Sequence, residues 1–345
     1  MVSTVTHSVS DDAERQVVVT WPDYEADGDH MGRALARAGL TVRLAPKLGA
    51  RSALEVRALM RNAVGAIVST DPFDAGVLAN SPALRVIARV GVGIDSIDLD
   101  AATAHGVAVT VTPGVNEGTV ADHTIALMLA ALRRVCEQDA AVRRGSWNRT
   151  GEHAAWALSG STVGLIGFGH IGRIVAARLR GFDVRVLVTD PIEPRDGDVQ
   201  PVSLDVLLGS SDVVSLHVPL LPTTRGLVGA RELGLMKPEA ILVNTARGAV
   251  VDEDALIDAL ESGRLRGAAL DVFANEPPTG SRLLALPNVV LSPHIAGLST
   301  TSVRDMTRRA TASVIDVLRG RAPAHLANPE VLDHVVFARA WGQGG

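Results

Sequence analysis

The sequence predicts an α/β protein of two parallel-sheet domains, one inserted in the other, and three observations carry that reading. From Gln16 onward, short apolar runs alternate with helix-like segments, the rhythm of a parallel sheet covered by helices on both faces. The alternation occurs twice, on either side of a long helical segment from Asn116 to about Arg144, and 345 residues suffice for two domains at ~100 to 200 residues each. Pro113 and Pro293 interrupt the pattern just before that long segment and just before a last helix, which suits two crossings between domains. The expected division is residues 1–112 with 299–345, and 113–298.

In chain order, the first alternation gives strands at Val17 to Thr20, Thr41 to Ala45, Gly65 to Ser69, Leu84 to Val90 and Val107 to Val111, with helices near 30–38, 52–61, 73–80 and 98–105. The long segment follows. Ile125, Met128, Leu129, Leu132 and Cys136 share one helical face, yet Val120, Leu127, Ala130 and Ala131 make the other side apolar too. Such a helix must be covered on both sides, between domains or across a subunit boundary, so a homodimer is expected. The second alternation gives strands near 212–217, 240–244, 267–272 and 289–292, helices near 203–208, 229–236 and 252–262, and a last helix from Thr300 to about Arg319.

The second alternation opens with Ser161 to Asp190, which reads as strand, glycine turn, helix, strand and acid. Gly167 makes the tight turn, Gly169 lets backbone approach a pyrophosphate, and Gly172 lets the helix pack close to the strand. Free N–H groups and the helix dipole at about residues 170 to 172 attract a diphosphate. Asp190, 18 residues after Gly172, is placed to accept hydrogen bonds from an adenosine ribose and to repel a 2′-phosphate. The stretch therefore predicts a Rossmann-type unit that binds a dinucleotide, NAD in preference to NADP.

Bulk properties narrow the partner. Net charge is −5, from 33 Lys+Arg against 38 Asp+Glu, and the charges are well mixed, so no nucleic-acid footprint is present. A small molecule is the expected partner. Cys136, the single cysteine, excludes an intrachain disulfide or a Cys-based zinc cluster and is expected to be a packed core residue. Residues 1–15 lack the apolar core of a signal peptide, and the longest purely apolar run, Ile125 to Leu132, is far short of the ~20 residues that span a bilayer. A cytoplasmic protein without membrane contact is expected, its first dozen residues disordered.

A nicotinamide enzyme needs a proton donor or acceptor at the reacting oxygen and a group that orients the substrate. Three stretches end apolar strands after the glycine turn: NTARG at 244–248, LDVFANEPP at 270–278 and LSPHIAG at 291–297. Ligands of an open parallel sheet sit beyond the carboxyl ends of its strands, where Arg247, Glu276 and His294 fall. Arg247 suits a bidentate clamp on a carboxylate. His294 suits an acid/base, and Glu276, bonded to its other ring nitrogen, would orient the imidazole. The bland readings are a surface salt bridge, a core histidine and a solvated loop acid. His217 at a strand end suits a cofactor pocket or packing equally well. His7, His105, His123, His153, His170, His325 and His334 show no metal-ligand spacing, and no metal is expected.

These motifs together resemble the D-isomer-specific 2-hydroxyacid dehydrogenases, the group of D-phosphoglycerate dehydrogenase, from about Gly65 to Leu332. The resemblance rests on RVGVGIDSIDLDAATAHGV at 89–107, PGVNEGTVADHTIALMLA at 113–130, GLIGFGHIG at 164–172, HVPLLPTT at 217–224, NTARGAVVDEDAL at 244–256, LDVFANEP at 270–277 and SPHIAG at 292–297. It implies a Rossmann-type NAD-binding domain inserted in a flavodoxin-like parallel-sheet substrate domain. It also implies a catalytic trio of Arg247, Glu276 and His294, and a substrate carboxylate held by backbone amides around Val92 and Gly93, with Val92 near the nicotinamide. His170, Ile171, Asp190, Val218, Thr245, Ala246 and Asp271 match positions that contact the cofactor.

The implied reaction is hydride transfer between nicotinamide and C2 of a D-2-hydroxy or 2-keto acid, phospho- and phosphono-acids included. Two departures bear on it. Where phosphoglycerate dehydrogenases usually carry an Arg in a V-R-S stretch, this chain reads Val68, Ser69, Thr70, Asp71, Pro72, which weakens 3-phosphoglycerate as substrate, and Asp122 replaces a more usual Glu. The chain is expected to lack the regulatory domain that some members append. Formate dehydrogenases of this fold carry Gln where Glu276 stands and rank low. NAD-sensing corepressors of the family keep the trio and are the alternative that turnover must separate.

Overall fold

A computed structural model describes residues 15–24, 30–47, 49–147, 149, 151, 155–192, 197–334 and 337. The expected disorder of the first dozen residues, with His7 and His153, lies outside them. The chain divides into two compact units, Met1–Pro113 with Val303–Gly345, and Gly114–Ser302.

The first unit comprises β1 (Gln16–Val19), α1 (His30–Arg37), β2 (Thr41–Leu44), α2 (Ala53–Met60), β3 (Ala63–Val68), α3 (Ala75–Ala79), β4 (Val86–Arg89), α4 (Leu99–Ala104) and β5 (Ala108–Thr110). Its sheet runs β2-β1-β3-β4-β5, all parallel, the flavodoxin-like order. β1, β3 and β5 are almost wholly buried, as continuous apolar strands with helices on both faces must be. Side-chain caps from Ser52, Asp74 and Asp98 start α2, α3 and α4 at the expected places. The free edge of β5 is covered by the chain near residue 326: Ala327 donates to Val109 O at 2.7 Å, and Val111 to His325 O at 3.1 Å.

The second unit comprises α5 (Glu117–Leu132), α6 (Val135–Arg143), β6 (Thr162–Ile166), α7 (His170–Leu179), β7 (Arg185–Thr189), β8 (Gln200–Pro201), α8 (Leu204–Ser210), β9 (Val213–Leu216), α9 (Ala230–Leu235), β10 (Ile241–Asn244), α10 (Glu253–Glu261), β11 (Gly267–Leu270) and β12 (Val289–Leu291). Its seven parallel strands run β12-β11-β10-β9-β6-β7-β8, the doubly wound dinucleotide-fold order with an added strand at the β12 edge. The chain passes from β6 outward to β7 and β8, then returns to β9 on the other side of β6, which makes the β6/β9 crevice the switch point. The last helix, α11 (Thr300–Leu318), packs on the first sheet: a Cβ on Gly65 of β3 would meet Val314 at 3.2 Å and Leu318 at 3.5 Å.

Two expectations fail here together. The helix expected over 116–144 breaks at Arg133 and Arg134, where Arg134 takes a left-handed φ of 52° and its guanidinium turns back onto Glu137 at 2.6 Å and 2.7 Å. The break rotates α6 out of register with α5, so Cys136 leaves the apolar stripe and is exposed instead of packed in the core. Both sides of α5 find cover within this unit, against α7 and against β10, β11 and β12. α6 carries no buried residue. No helix among the described residues is long and apolar enough to cross a membrane.

Candidate active site

The second sheet presents its candidate residues at the carboxyl ends of six neighbouring strands. Gly167 follows β6, Asp190 follows β7, Val218 follows β9, Thr245, Ala246 and Arg247 follow β10, Asp271 and Glu276 follow β11, and His294 follows β12. From β7 to β11 is four inter-strand steps of ~4.8 Å, roughly 19 Å. The site is therefore elongated, with the glycine turn at the switch point and the trio beyond it.

The three glycines are required for different reasons. Gly167 has φ +97°, and a Cβ there would lie 2.6 Å from His217 O and 2.9 Å from the Val218 side chain. A Cβ on Gly172 would overlap the Gly167 carbonyl oxygen, so this glycine seats α7 against the turn. A Cβ on Gly169 meets nothing within 4 Å. Space thus lies open at the N-terminus of α7, where Gly169 provides no side-chain cap and Gly169 and His170 are exposed. Exposed helix N–H groups beside open space are the cradle a diphosphate fills. Asp190 closes the same corner, its Oδ2 accepting from Phe168 N at 2.7 Å and its Oδ1 from Ile192 N at 2.8 Å. The residues present fit a dinucleotide.

The His217 backbone lies against the turn at Gly167. Its Nε2 lies 3.0 Å from Ser215 Oγ, and burial pushes its pKa down to about 4, so the ring is neutral and adds no charge beside the cradle.

At the other end, the loops after β10 and β11 are locked together. A Cβ on Gly248 would overlap the Phe273 carbonyl, so only glycine lets the two backbones touch. Buried Asn244 holds the Arg247 loop from inside, accepting from Ala246 N at 3.0 Å and donating to Arg247 O at 2.9 Å. Thr245 Oγ1 is 2.8 Å from Thr124 Oγ1 of α5. Glu276 turns back on its own loop, its Oε1 accepting from Phe273 N at 3.1 Å, which leaves Oε2 to meet His294 Nδ1 at 2.6 Å. The pair is about one-third exposed on each side, so it is open to a small molecule.

His294 has φ +54°, a left-handed conformation that costs a non-glycine residue roughly 1 kcal/mol or more. Asp271 stabilises it. Its backbone carbonyl accepts from His294 N at 2.8 Å, and its carboxylate accepts from Ser292 Oγ at 2.6 Å, Ile295 N at 2.9 Å and Ala296 N at 2.8 Å. Burial by itself would raise the Asp271 pKa, but the nearby His123 ring and the hydrogen bonds from Ser292, Ala296 and Ile295 outweigh it and hold the carboxyl below its ordinary value. His123 of α5, set aside in the sequence for want of metal spacing, has Nε2 2.9 Å from Ser292 Oγ. Among the described residues no three His, Cys, Asp or Glu side chains gather as a metal site would need.

Val92 and Gly93 belong to the first unit, in the loop after β4. Gly91 N donates to Thr112 Oγ1 at 2.9 Å and Thr112 N to Gly91 O at 2.9 Å, which leaves Val92 44 % exposed. In the same unit, Asp71 of the departing stretch is buried, accepting from Thr20 Oγ1 at 2.6 Å and from Arg51 Nη1 at 3.0 Å.

Known proteins with this pattern are numerous. Residues 125–296 match the family model described as D-isomer specific 2-hydroxyacid dehydrogenase, NAD binding domain. The chain is 42% identical over 273 residues to a glyoxylate reductase of Thermococcus litoralis, covering 76% of this chain and 82% of that one. It is 44% identical over 255 residues to a D-3-phosphoglycerate dehydrogenase of Mycobacterium leprae, covering 73% of this chain and 47% of the other. It superposes with a TM-score of 0.79 and 29% identity on a D-lactate dehydrogenase of Aquifex aeolicus complexed with NAD and lactic acid, over 91% of this chain and 99% of that one. With this likeness spanning both sheets and the site described above, the chain belongs to the D-isomer-specific 2-hydroxyacid dehydrogenase family: it is an oxidoreductase that passes hydride between a nicotinamide cofactor and C2 of a 2-hydroxy or 2-keto acid.

Proposed function

We propose that this chain interconverts short 2-keto acids and D-2-hydroxy acids with NAD as its cofactor, as a cytoplasmic homodimer. The observation that carries the reading is the 2.6 Å Glu276–His294 pair on the sheet whose switch point bears the glycine turn. Gly167, Gly169, His170, Ile171 and Gly172 hold the diphosphate, Asp190 the adenosine ribose, and Val218, Thr245, Ala246, Asp271 and Val92 the nicotinamide half. A bound nicotinamide supplies or accepts the hydride.

The chain's own residues supply the rest. Glu276 occupies Nδ1 of His294, which leaves Nε2 to deliver a proton to the keto oxygen and to remove it in the reverse direction. Arg247 holds the α-carboxylate and polarises the reacting carbonyl, and the amides of Val92 and Gly93 add donors to the carboxylate. Asp190 favours NAD, because its carboxylate would repel a 2′-phosphate.

A small substrate suits Ser69, which stands where phosphoglycerate dehydrogenases usually offer an Arg, while, two residues on, the buried Asp71 is committed to Arg51. The relatives point the same way, two of them named for glyoxylate and lactate. An exposed thiol at Cys136 fits a reducing compartment. A second copy would cover α6 and its neighbourhood, where Val135, Val142 and Trp147 stand exposed. Light scattering at micromolar concentration is expected to give a dimer mass, and a monomer would remove that part of the proposal.

The test of function is turnover on a panel of glyoxylate, pyruvate, hydroxypyruvate, phosphohydroxypyruvate and a phosphonate analogue, each with NADH and with NADPH. Reduction of the unphosphorylated acids with NADH is expected. Silence on the whole panel would favour the corepressor-like alternative.

A further inference from the structure

We propose that His123 is a positioning residue for the acid/base His294, acting through a directed hydrogen-bond chain from His123 Nε2–H to Ser292 Oγ–H to Asp271 Oδ1. The inference rests on the proposed role of His294.

The direction of the chain follows from donor counting. An ionised carboxylate only accepts, so the single Ser292 hydroxyl proton goes to Asp271 at 2.6 Å. Ser292 Oγ then has lone pairs alone to offer His123, whose Nε2 lies 2.9 Å away, so Nε2 must carry its proton. His123 Nε2 is also 3.5 Å from Asp271 Oδ1 itself. No other part of α5 gives this loop a ring nitrogen donor.

The chain straddles the catalytic residue. Ser292 precedes His294 by two residues, while Ile295 and Ala296, which follow it, donate to the same Asp271 carboxylate at 2.9 Å and 2.8 Å. His294 sits between these anchors at φ +54°, a conformation that persists only where the surroundings over-determine it. Loss of the His123 donor leaves Ser292 Oγ–H free to rotate away from Asp271, and the carboxylate then grips only one flank of the kink. Nδ1 of His294 would no longer be aimed at Glu276 Oε2, nor Nε2 at the substrate. His123 is thus linked to a proton-transfer nitrogen that it does not touch, from a rigid helix at the far side of the loop.

The chemistry of this link selects its own control. A Gln amide nitrogen reaches about as far from the backbone as His Nε2 and donates a hydrogen bond, whereas Leu fills similar space and donates nothing. With the best keto acid of the panel and NADH, H123L is expected to lose 10- to 100-fold in kcat with both KM values within about 3-fold of wild type, and H123Q to recover to within about 3-fold. S292A should match H123L, and the double variant should be no worse than either alone, because each breaks the same chain. The carbon-bound ring proton resonances of His294, assigned by their absence in a His294→Ala control, should move in H123L and S292A and return in H123Q.

A wild-type kcat in H123L, or equal losses in H123Q and H123L, would overturn the proposal. Should H123L fail to fold, S292A and H123Q carry the same comparison. The resonance test needs no turnover, so inactivity of the wild type on every acid would sink the proposed function while unmoved His294 resonances would sink this inference.

Discussion

The two ends of the second sheet's binding edge are built on opposite principles. At the β6/β7 end the site is made by removing side chains: Gly167, Gly169 and Gly172 serve a left-handed turn, open space and a close helix contact in turn. At the β10 to β12 end it is made by crowding side chains: Ser292 bonds Asp271, Glu276 bonds His294, Asn244 holds Ala246 N and Thr245 meets Thr124, through bonds of 2.6 to 3.0 Å. A dinucleotide's phosphates need backbone and shape, while a proton-transfer nitrogen needs aim. The first end should therefore be sensitive to added atoms and the second to lost hydrogen bonds.

The largest expected effect is at the crowded end. His294→Ala removes the proposed acid/base and should lower kcat by roughly 10²- to 10⁴-fold while NADH affinity, read by fluorescence titration, changes little. An equal loss of both would make His294 structural. The open end should show the reverse asymmetry within its own turn. Gly172→Ala should cost stability by on the order of 2 to 3 kcal/mol in urea titrations, because its Cβ overlaps the Gly167 carbonyl. Gly169→Leu should leave stability nearly unchanged yet weaken NADH binding at least about tenfold by filling the open space. Matching stability losses at Gly169 and Gly172 would erase the distinction between shape for ligand and shape for fold.

A smaller effect is expected at Asp190. Because both its oxygens already accept backbone bonds, Asp190→Ala confounds ribose recognition with the loss of the turn's partners. Asp190→Asn keeps an acceptor and removes the charge, and should narrow the NAD-over-NADP preference about tenfold in kcat/KM. An unchanged ratio would remove the ribose assignment.

The smallest effect is in pH-dependent stability. His217 is neutral in the folded chain down to about pH 4, whereas the unfolded histidine takes a proton near its ordinary value of 6.5. Between those values the unfolded state binds more protons, so stability is full above pH 6.5 and falls as pH drops toward 4. Because the residue is only half-buried, about 1 to 2 kcal/mol between pH 7 and pH 5 is expected, and His217→Gln should abolish that part of the slope.

Much of this was legible in the sequence because the relevant signals are local. Apolar runs such as Val213–Leu216 and Ile241–Asn244 lie buried in the middle of a parallel sheet and read as strands without help. The Gly167, Gly169, Gly172 and Asp190 spacing is set by one strand, turn, helix and strand. Arg247, Glu276 and His294 each follow a strand of that sheet, so their placement along its carboxyl edge needs only the strand order, and Glu276 and His294 meet there at 2.6 Å.

What was illegible is either non-local or unpunctuated. The break between α5 and α6 carries neither Gly nor Pro, and an Arg takes the left-handed position, so periodicity ran through it and carried Cys136 into a core it does not enter. β8 is two residues long and contains Pro201, too short and too irregular for a strand signal. His123 meets Ser292 169 residues later, a pairing that no spacing rule exposes.

The central claim is that Glu276, His294 and the glycine turn together make a site for D-specific hydride transfer, and the stereochemistry of the product tests it most directly. Given hydroxypyruvate and NADH, the protein should yield D-glycerate alone on chiral chromatography, with none formed by His294→Ala. L-glycerate, or a racemic product, would contradict the account.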